Sequence, residues 1–287
     1  MIYYLLVLGA TALQAIDFSI SKKNQALEGT GLSAGFKFNA IVGLVSAVFA
    51  FVLCGFQIEF SWFSLLIALG TSGFGVIYSV LGFRVLKAGN VAVYSTFLMS
   101  GGMLLPYLFG LVFLDETVTV LRVLGILLIL GAVLLSNRSK ERVPVKMLIL
   151  CICIFLLNGL VSVLSKCHQI GVEFKPVDST AFVVYSSGVR FVLGLLVLPF
   201  VPGKKTPLFT GKLTPWLVVG SGVVCTVSYI FQLVGAVHLP ATVLYPMVTG
   251  GSIVLSAFAG LAFYREKLSG YQWLSITLSL AGTLCFL

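Results

Sequence analysis

Charge is what this sequence has least of: Asp, Glu, Lys and Arg make up 9% of its 287 residues, against 59% hydrophobic ones. A soluble domain carries roughly a quarter charged residues, so water is excluded as the solvent for most of the chain. Histidine occurs only twice, and the six cysteines (Cys54, Cys151, Cys153, Cys167, Cys225, Cys285) are scattered with no C-x-x-C pair and no Cys/His cluster. No metal site is expected, and the thiols read as small apolar packing residues. No G-x-x-x-x-G-K-[ST] motif occurs, so no cofactor or ATP hydrolysis is expected. A net charge of +9 contains no dense basic block, which argues against nucleic acid as a partner. No Lys or Arg precedes the first apolar run and no convincing cleavage site follows it, so that run reads as a permanent span and not a signal peptide.

What the sequence does have is apolar length. Runs fall at 2–20, 34–55, 62–83, 90–113, 118–136, 147–165, 180–200, 214–233, 240–263 and 269–287. Each meets the requirement of about 20 residues for a spanning helix. The longest polar pieces between them, 137–146, 166–179 and 201–213, have no room for a folded soluble domain. The alternation of β-barrel strands is missing. The expectation is an all-α integral membrane protein of ten transmembrane helices, in a bilayer such as the bacterial plasma membrane. Apart from Arg190, fourteen Lys and Arg residues sit in or beside the loops after the odd-numbered helices; only Arg122, Lys166 and Lys175 fall on the other face. By the positive-inside rule the odd loops are cytoplasmic and both termini are outside.

An internal repeat is visible in two registers, each without gaps. An offset of 150 pairs Gly70 with Gly220, Gly101 with Gly251, Gly110 with Gly260 and Glu116 with Glu266. At the front of each half an offset of 144 pairs Ser21-Lys22-x-x-Gln25 with Ser165-Lys166-x-x-Gln169, and Gln14 with Asn158. Two five-helix units are expected, 1–143 and 144–287. Because five is odd, the second must lie upside down relative to the first. Inverted repeats are a common build of secondary transporters, with the substrate at their interface.

The closing segments of the two halves carry a resemblance. The first runs from Leu86-Lys87-Ala88-Gly89-Asn90-Val91-Ala92 through Gly101 to Leu114-Asp115-Glu116 and the helix at 118–136. Its second copy runs from Val237-His238-Leu239-Pro240-Ala241-Thr242 through Gly251 to Tyr264-Arg265-Glu266 and the helix at 268–287. With ten spans in two halves, the chain resembles the drug/metabolite transporter superfamily, EamA type. The resemblance implies solute transport, often export, from a central cavity lined by helices 1–4 and 6–9, with helices 5 and 10 at the periphery. In some members it is driven by protons or exchange. Eukaryotic relatives usually have cytosolic termini, which the charge count here opposes.

Polar residues inside apolar runs are the candidate site. Arg190 sits mid-helix 7, where a guanidinium costs about 2.5–3.5 kcal/mol on insertion scales and so faces protein or a wet cavity. It reads as a donor to a solute carboxylate or phosphate, or as half of a structural ion pair. Asp17 is the one carboxylate well inside an apolar run. It reads as the proton-coupling candidate, or as a marker of a helix end near Lys22; its repeat mate, Val161, carries no acid. Gln14 shares a helix face with Asp17. Asn158 lines the cavity opposite Gln14, or else acts as interhelical glue. Tyr94 and Tyr245 offer rings and hydroxyls to a solute, or anchor the interface. His168 and His238 fall in loops. Gly70-x-x-Gly73-x-Gly75, Ser100-Gly101-Gly102 and Thr249-Gly250-Gly251-Ser252 permit close helix approach.

These features point to a secondary transporter for a small metabolite, amino acid or drug-like solute, working by alternating access. A flippase for a lipid-linked or amphipathic substrate is the alternative. A membrane-embedded lipid-modifying enzyme needs convergent acids, histidines or a metal, and the sequence lacks them; no enzyme is expected. The expected partners are the solute, the bilayer and a coupling proton.

Overall fold

A computed structural model describes residues 1–28, 32–87, 91–136, 144–201, 212–264 and 269–287. Ten helices follow one another: α1 Ile2–Glu28, α2 Leu32–Leu53, α3 Trp62–Lys87, α4 Val91–Phe113, α5 Val120–Ser136, α6 Val145–Ile170, α7 Ser179–Val197, α8 Thr214–His238, α9 Ala241–Tyr264 and α10 Gly270–Leu284. Helices are the form this composition dictates, because a chain in lipid must satisfy its own backbone N–H and C=O groups. Eight of them, α1–α4 and α6–α9, are long and apolar enough to cross a membrane. The 17 residues of α5 and 15 of α10 fall short of that length. At 1.5 Å per residue they are about 25 and 22 Å long, against about 30 Å of hydrocarbon.

Helices α6 and α8 run further than hydropathy predicts, to Ile170 and His238. The loop assignment of His168 and His238 is therefore corrected: both lie in the last turn of a helix. The polar residues that lower the local hydropathy there, Lys166, His168 and Gln169, are buried against neighbouring helices instead of facing water.

Successive helices alternate in direction, and side-chain contacts fix which ends meet. Tyr3 stacks on His238 at 3.9 Å and Ser61 Oγ donates to the Lys175 carbonyl at 3.0 Å, on the face that holds both termini. On the opposite face Thr214 Oγ1 donates to Glu28 at 2.6 Å. The most extensive packing joins α1 to α8 and α9, α2 to α7 and α8, α3 to α6 and α7, α4 to α6 and α9, and α5 to α10. Each of these pairs crosses from the first five helices to the last five, so neither half forms a bundle of its own.

Between helices in lipid there is little hydrophobic drive, so small residues and interhelical hydrogen bonds hold them together. Gly101 of α4 lies against the Phe155 backbone of α6, and Gly194 of α7 against Ala40 of α2. Serines reach across to carbonyls of neighbouring helices: Ser228 to Ala10 (2.8 Å), Ser275 to Ala132 (2.8 Å) and Ser279 to Gly250 (2.9 Å). Large apolar side chains such as Leu5, Leu66, Leu127 and Leu196 point outward, where a bilayer is their natural solvent.

A β-carbon at Gly101 would collide with the Phe155 backbone, whereas one at Gly73 would meet nothing within 4 Å. Gly101→Leu is expected to cost at least the roughly 1–3 kcal/mol of an overpacked core. It should lower the thermal unfolding midpoint in detergent by several degrees, while Gly73→Ala leaves it unchanged or higher.

Candidate functional site

A cavity of about 390 Å³ lies within the bundle, lined by α1, α2, α3, α7 and α8 with Val161 of α6. Along α7 its lining runs from Val183, near the start of the helix, to Gly194, near its end. Helical periodicity puts the lining together. On α7, Val183, Ser186, Ser187, Arg190 and Gly194 recur at three- and four-residue steps and share one face. On α1 the same rule brings Gln14, Asp17 and Phe18 to the cavity. Among the described lining residues only Asp17 and Arg190 carry charge.

Polar groups around this pair are largely spoken for. Ser221 Oγ donates to Asp17 Oδ1. Ser252 donates to Gln14 Oε1 at 2.9 Å, so the polar atom Gln14 has left is its amide nitrogen, a donor. Ser72 donates to the Ser186 carbonyl (2.9 Å), Ser79 to Gly75 (2.7 Å) and Thr226 to Gly222 (2.7 Å). These hydroxyls have used their hydrogens on backbone and keep lone pairs for a guest. Arg190 differs: its Nε is buried with no hydrogen-bond partner. A buried donor left unmade costs about 1–3 kcal/mol, more when charged. Arg190 is also the positive charge that acts on Asp17, Tyr78, Cys225 and Tyr229.

Of the sequence candidates, Gln14, Asp17 and Arg190 are brought together, and three others lie elsewhere. Asn158 does not line the cavity; its Nδ2 donates to the Leu98 carbonyl at 2.7 Å, tying α6 to α4. Tyr245 donates its hydroxyl to the Ser162 carbonyl at 2.6 Å. Tyr94 packs with Tyr78 and Val85 in an apolar cluster, against Gly82. Neither α4 nor α9 contributes to the lining, because Gly101 and Gly251 bring them close against α6 and α1, away from the cavity. Sequence reading overlooked Asn39, Ser186, Ser187, Tyr229 and Gln232. For Ser186 and Ser187 a signal existed: they precede Arg190 by four and three residues, on its helical face.

A second polar assembly lies at the terminal-face end of the bundle. Asp115 adopts a left-handed conformation (φ 50°) and the Glu116 N–H returns to the Gly110 carbonyl at 3.1 Å, turning the Glu116 side chain back. Its two oxygens accept the N–H groups of Ala241 (2.7 Å) and Thr242 (2.8 Å), capping α9. Lys166 of α6 donates to the carbonyls of Ala236 (2.6 Å) and Leu239 (2.7 Å) at the end of α8. An acid at a helix N-terminus and a cation at a C-terminus both complement the helix dipole. Nearby, the fully buried His168 stacks on Phe182 at 3.8 Å. Gln169 Nε2 lies 2.9 Å from His168 Nδ1 and, having only hydrogens to offer, donates to it. His168 Nε2 therefore carries the ring proton and donates to Ser64 Oγ at 2.9 Å. The repeat mate of Glu116, Glu266, lies outside the described residues.

Glu116→Ala removes both caps at the start of α9. It is expected to lower stability by about 1–2 kcal/mol, read as a fall in thermal midpoint, and to increase thiol labelling of Cys167 in the adjoining turn of α6.

Residues 145–287 match the EamA-like transporter family. A solved structure described only as "Crystal structure of protein" is similar over 99% of this chain and 95% of that one, with a TM-score of 0.80. At 14% sequence identity that likeness concerns the fold alone. No curated protein matches.

Proposed function

The chain belongs to the EamA-like transporter family, and on that premise we propose that it is a secondary active transporter moving a small polar solute by alternating access. The observation that carries this reading is the cavity: a charged pair, Asp17 and Arg190, among hydroxyls and amides inside an otherwise apolar bundle. Intramembrane charge is costly and in general marks solute or ion pathways. Arg190, with its unpartnered Nε, and Gln14, with its amide nitrogen, are the proposed solute contacts. Asn158, Tyr94 and Tyr245 are proposed to act one layer out, holding the walls.

Alternating access needs two bodies that rock about the site, and the proposed bodies are inverted repeats over 1–143 and 144–287. Their register supports this. Gly70 of α3 faces Leu164 of α6, and Gly220 of α8 faces Ile20 of α1. Gly101 of α4 meets Phe155 of α6, and Gly251 of α9 meets Thr11 of α1. Gly102 lies beside Asn158, and Ser252 bonds Gln14. Each contact maps onto its partner by adding 150 to the α3 or α4 residue and subtracting 144 from the α6 residue. The helix pairs obey the same exchange: α1 with α8 answers α6 with α3, and α2 meets its own counterpart α7.

With α5 and α10 included as spans, the distribution of Lys and Arg supports termini outside. In this state the cap at α9 and the Lys166 bonds close the outer end, and opening that end would require breaking them.

Purified protein in liposomes should carry at least one member of a panel of neutral, zwitterionic, anionic and cationic solutes. Arg190→Ala should reduce that flux by about tenfold or more, equivalent to losing one charge-assisted hydrogen bond. Wild-type flux of none of these, with scrambling of a labelled lipid, would replace the reading with a flippase.

A further inference from the structure

We propose that the cavity binds a small hydroxylated monocarboxylate at Arg190 together with one proton at Asp17, so that solute and proton cross as a neutral pair. This rests on the transporter reading above and gives it a substrate class.

The first argument is charge balance. Asp17 and Arg190 are the only charged residues among the described lining, and they are of opposite sign. The empty cavity is neutral with Asp17 ionised. A carboxylate arriving at Arg190 puts two negative charges on one guanidinium, in an apolar bundle where no other cation among the described lining residues offsets the second. Like charges sharing a site disfavour double ionisation, and an uncompensated charge at membrane depth is expensive. A proton on Asp17 restores neutrality. By reciprocity, the protonated site prefers the anion to the same degree.

The second argument is the arrangement of donors and acceptors. Arg190 Nε has no partner, and Gln14 keeps an amide nitrogen, so the donors available to a carboxylate lie on α7 and α1. Ser72, Ser79 and Thr226 have given their hydrogens to backbone carbonyls and present lone pairs. Lone pairs on the wall call for hydroxyl donors on the guest. Ser221 holds one oxygen of Asp17 and leaves the other to take the proton.

The titratable groups sharing the cavity with Asp17 are Arg190 of α7, Tyr78 of α3, and Cys225 and Tyr229 of α8. Thiols and phenols are already protonated near neutral pH and arginine does not lose its proton. α2 contributes Asn39, and α9 contributes Ser252 through Gln14; neither titrates. Asp17 is the group left to change charge.

The test uses gluconate as the hydroxylated monocarboxylate, with alanine and glucose as the zwitterionic and neutral comparators. Gluconate added to weakly buffered, detergent-solubilised protein should take up close to one proton per molecule bound, followed with a pH indicator. In liposomes with the potential clamped, an inward proton gradient should accumulate gluconate, and a potential alone should not. Asp17→Asn should keep gluconate exchange but lose gradient-driven accumulation by about tenfold or more, and Arg190→Ala should lose both. Binding without proton uptake, accumulation driven by potential alone, or undiminished accumulation in Asp17→Asn would overturn the proposal. Transport of alanine or glucose but not gluconate would overturn it and leave the transporter reading standing. Transport of nothing would overturn both.

Discussion

In hydrocarbon, a polar group has only the protein to bond to, and the architecture of this chain follows from that constraint. Backbone groups meet it by forming helices. Serine hydroxyls meet it by bonding to carbonyls on neighbouring helices, as Ser228 does to Ala10 and Ser279 to Gly250. Glycines make those reaches short enough, and the same glycines decide which helices touch. Gly101 and Gly251 press α4 and α9 against α6 and α1 and so leave the cavity to α1, α2, α3, α7 and α8.

Two sets of charges escape the general pattern of small polar groups, and they sit at different depths. Glu116 and Lys166 grip the two helix ends flanking Pro240 and satisfy backbone groups that a helix break exposes. Asp17 and Arg190 line open space instead. A charge that closes a helix end is structural; a charge left beside a cavity with an unmade bond is available to a guest. That difference, more than polarity itself, is the basis for proposing Asp17 and Arg190 as the site.

Much of this was legible in the sequence. Apolar length alone located every helix. Arg190, Asp17 and Gln14 were identifiable as polar residues stranded in apolar runs. Asn158 was stranded in the same way and Tyr245 read as a solute contact or an anchor, yet both donate to backbone carbonyls on adjacent helices, and no pattern in one chain distinguishes glue from lining. Hydropathy placed His168 and His238 in loops because a window average assumes that polar residues end a span; here His168 is buried and stacks on Phe182, while His238 is exposed at the end of α8 and stacks on Tyr3. The lysine shared by Ser21-Lys22 and Ser165-Lys166 was the one hint that Lys166 had work inside the fold.

The central claim is that the terminal face must open for solute to cross. Tyr3 and His238 stack across the α1–α8 contact on that face, joining the two halves. In a background free of native cysteines, Tyr3→Cys and His238→Cys should be cross-linked by oxidation. Alternating access predicts that flux in liposomes stops on cross-linking and returns on reduction. Flux that continues at full rate with the pair cross-linked would contradict it.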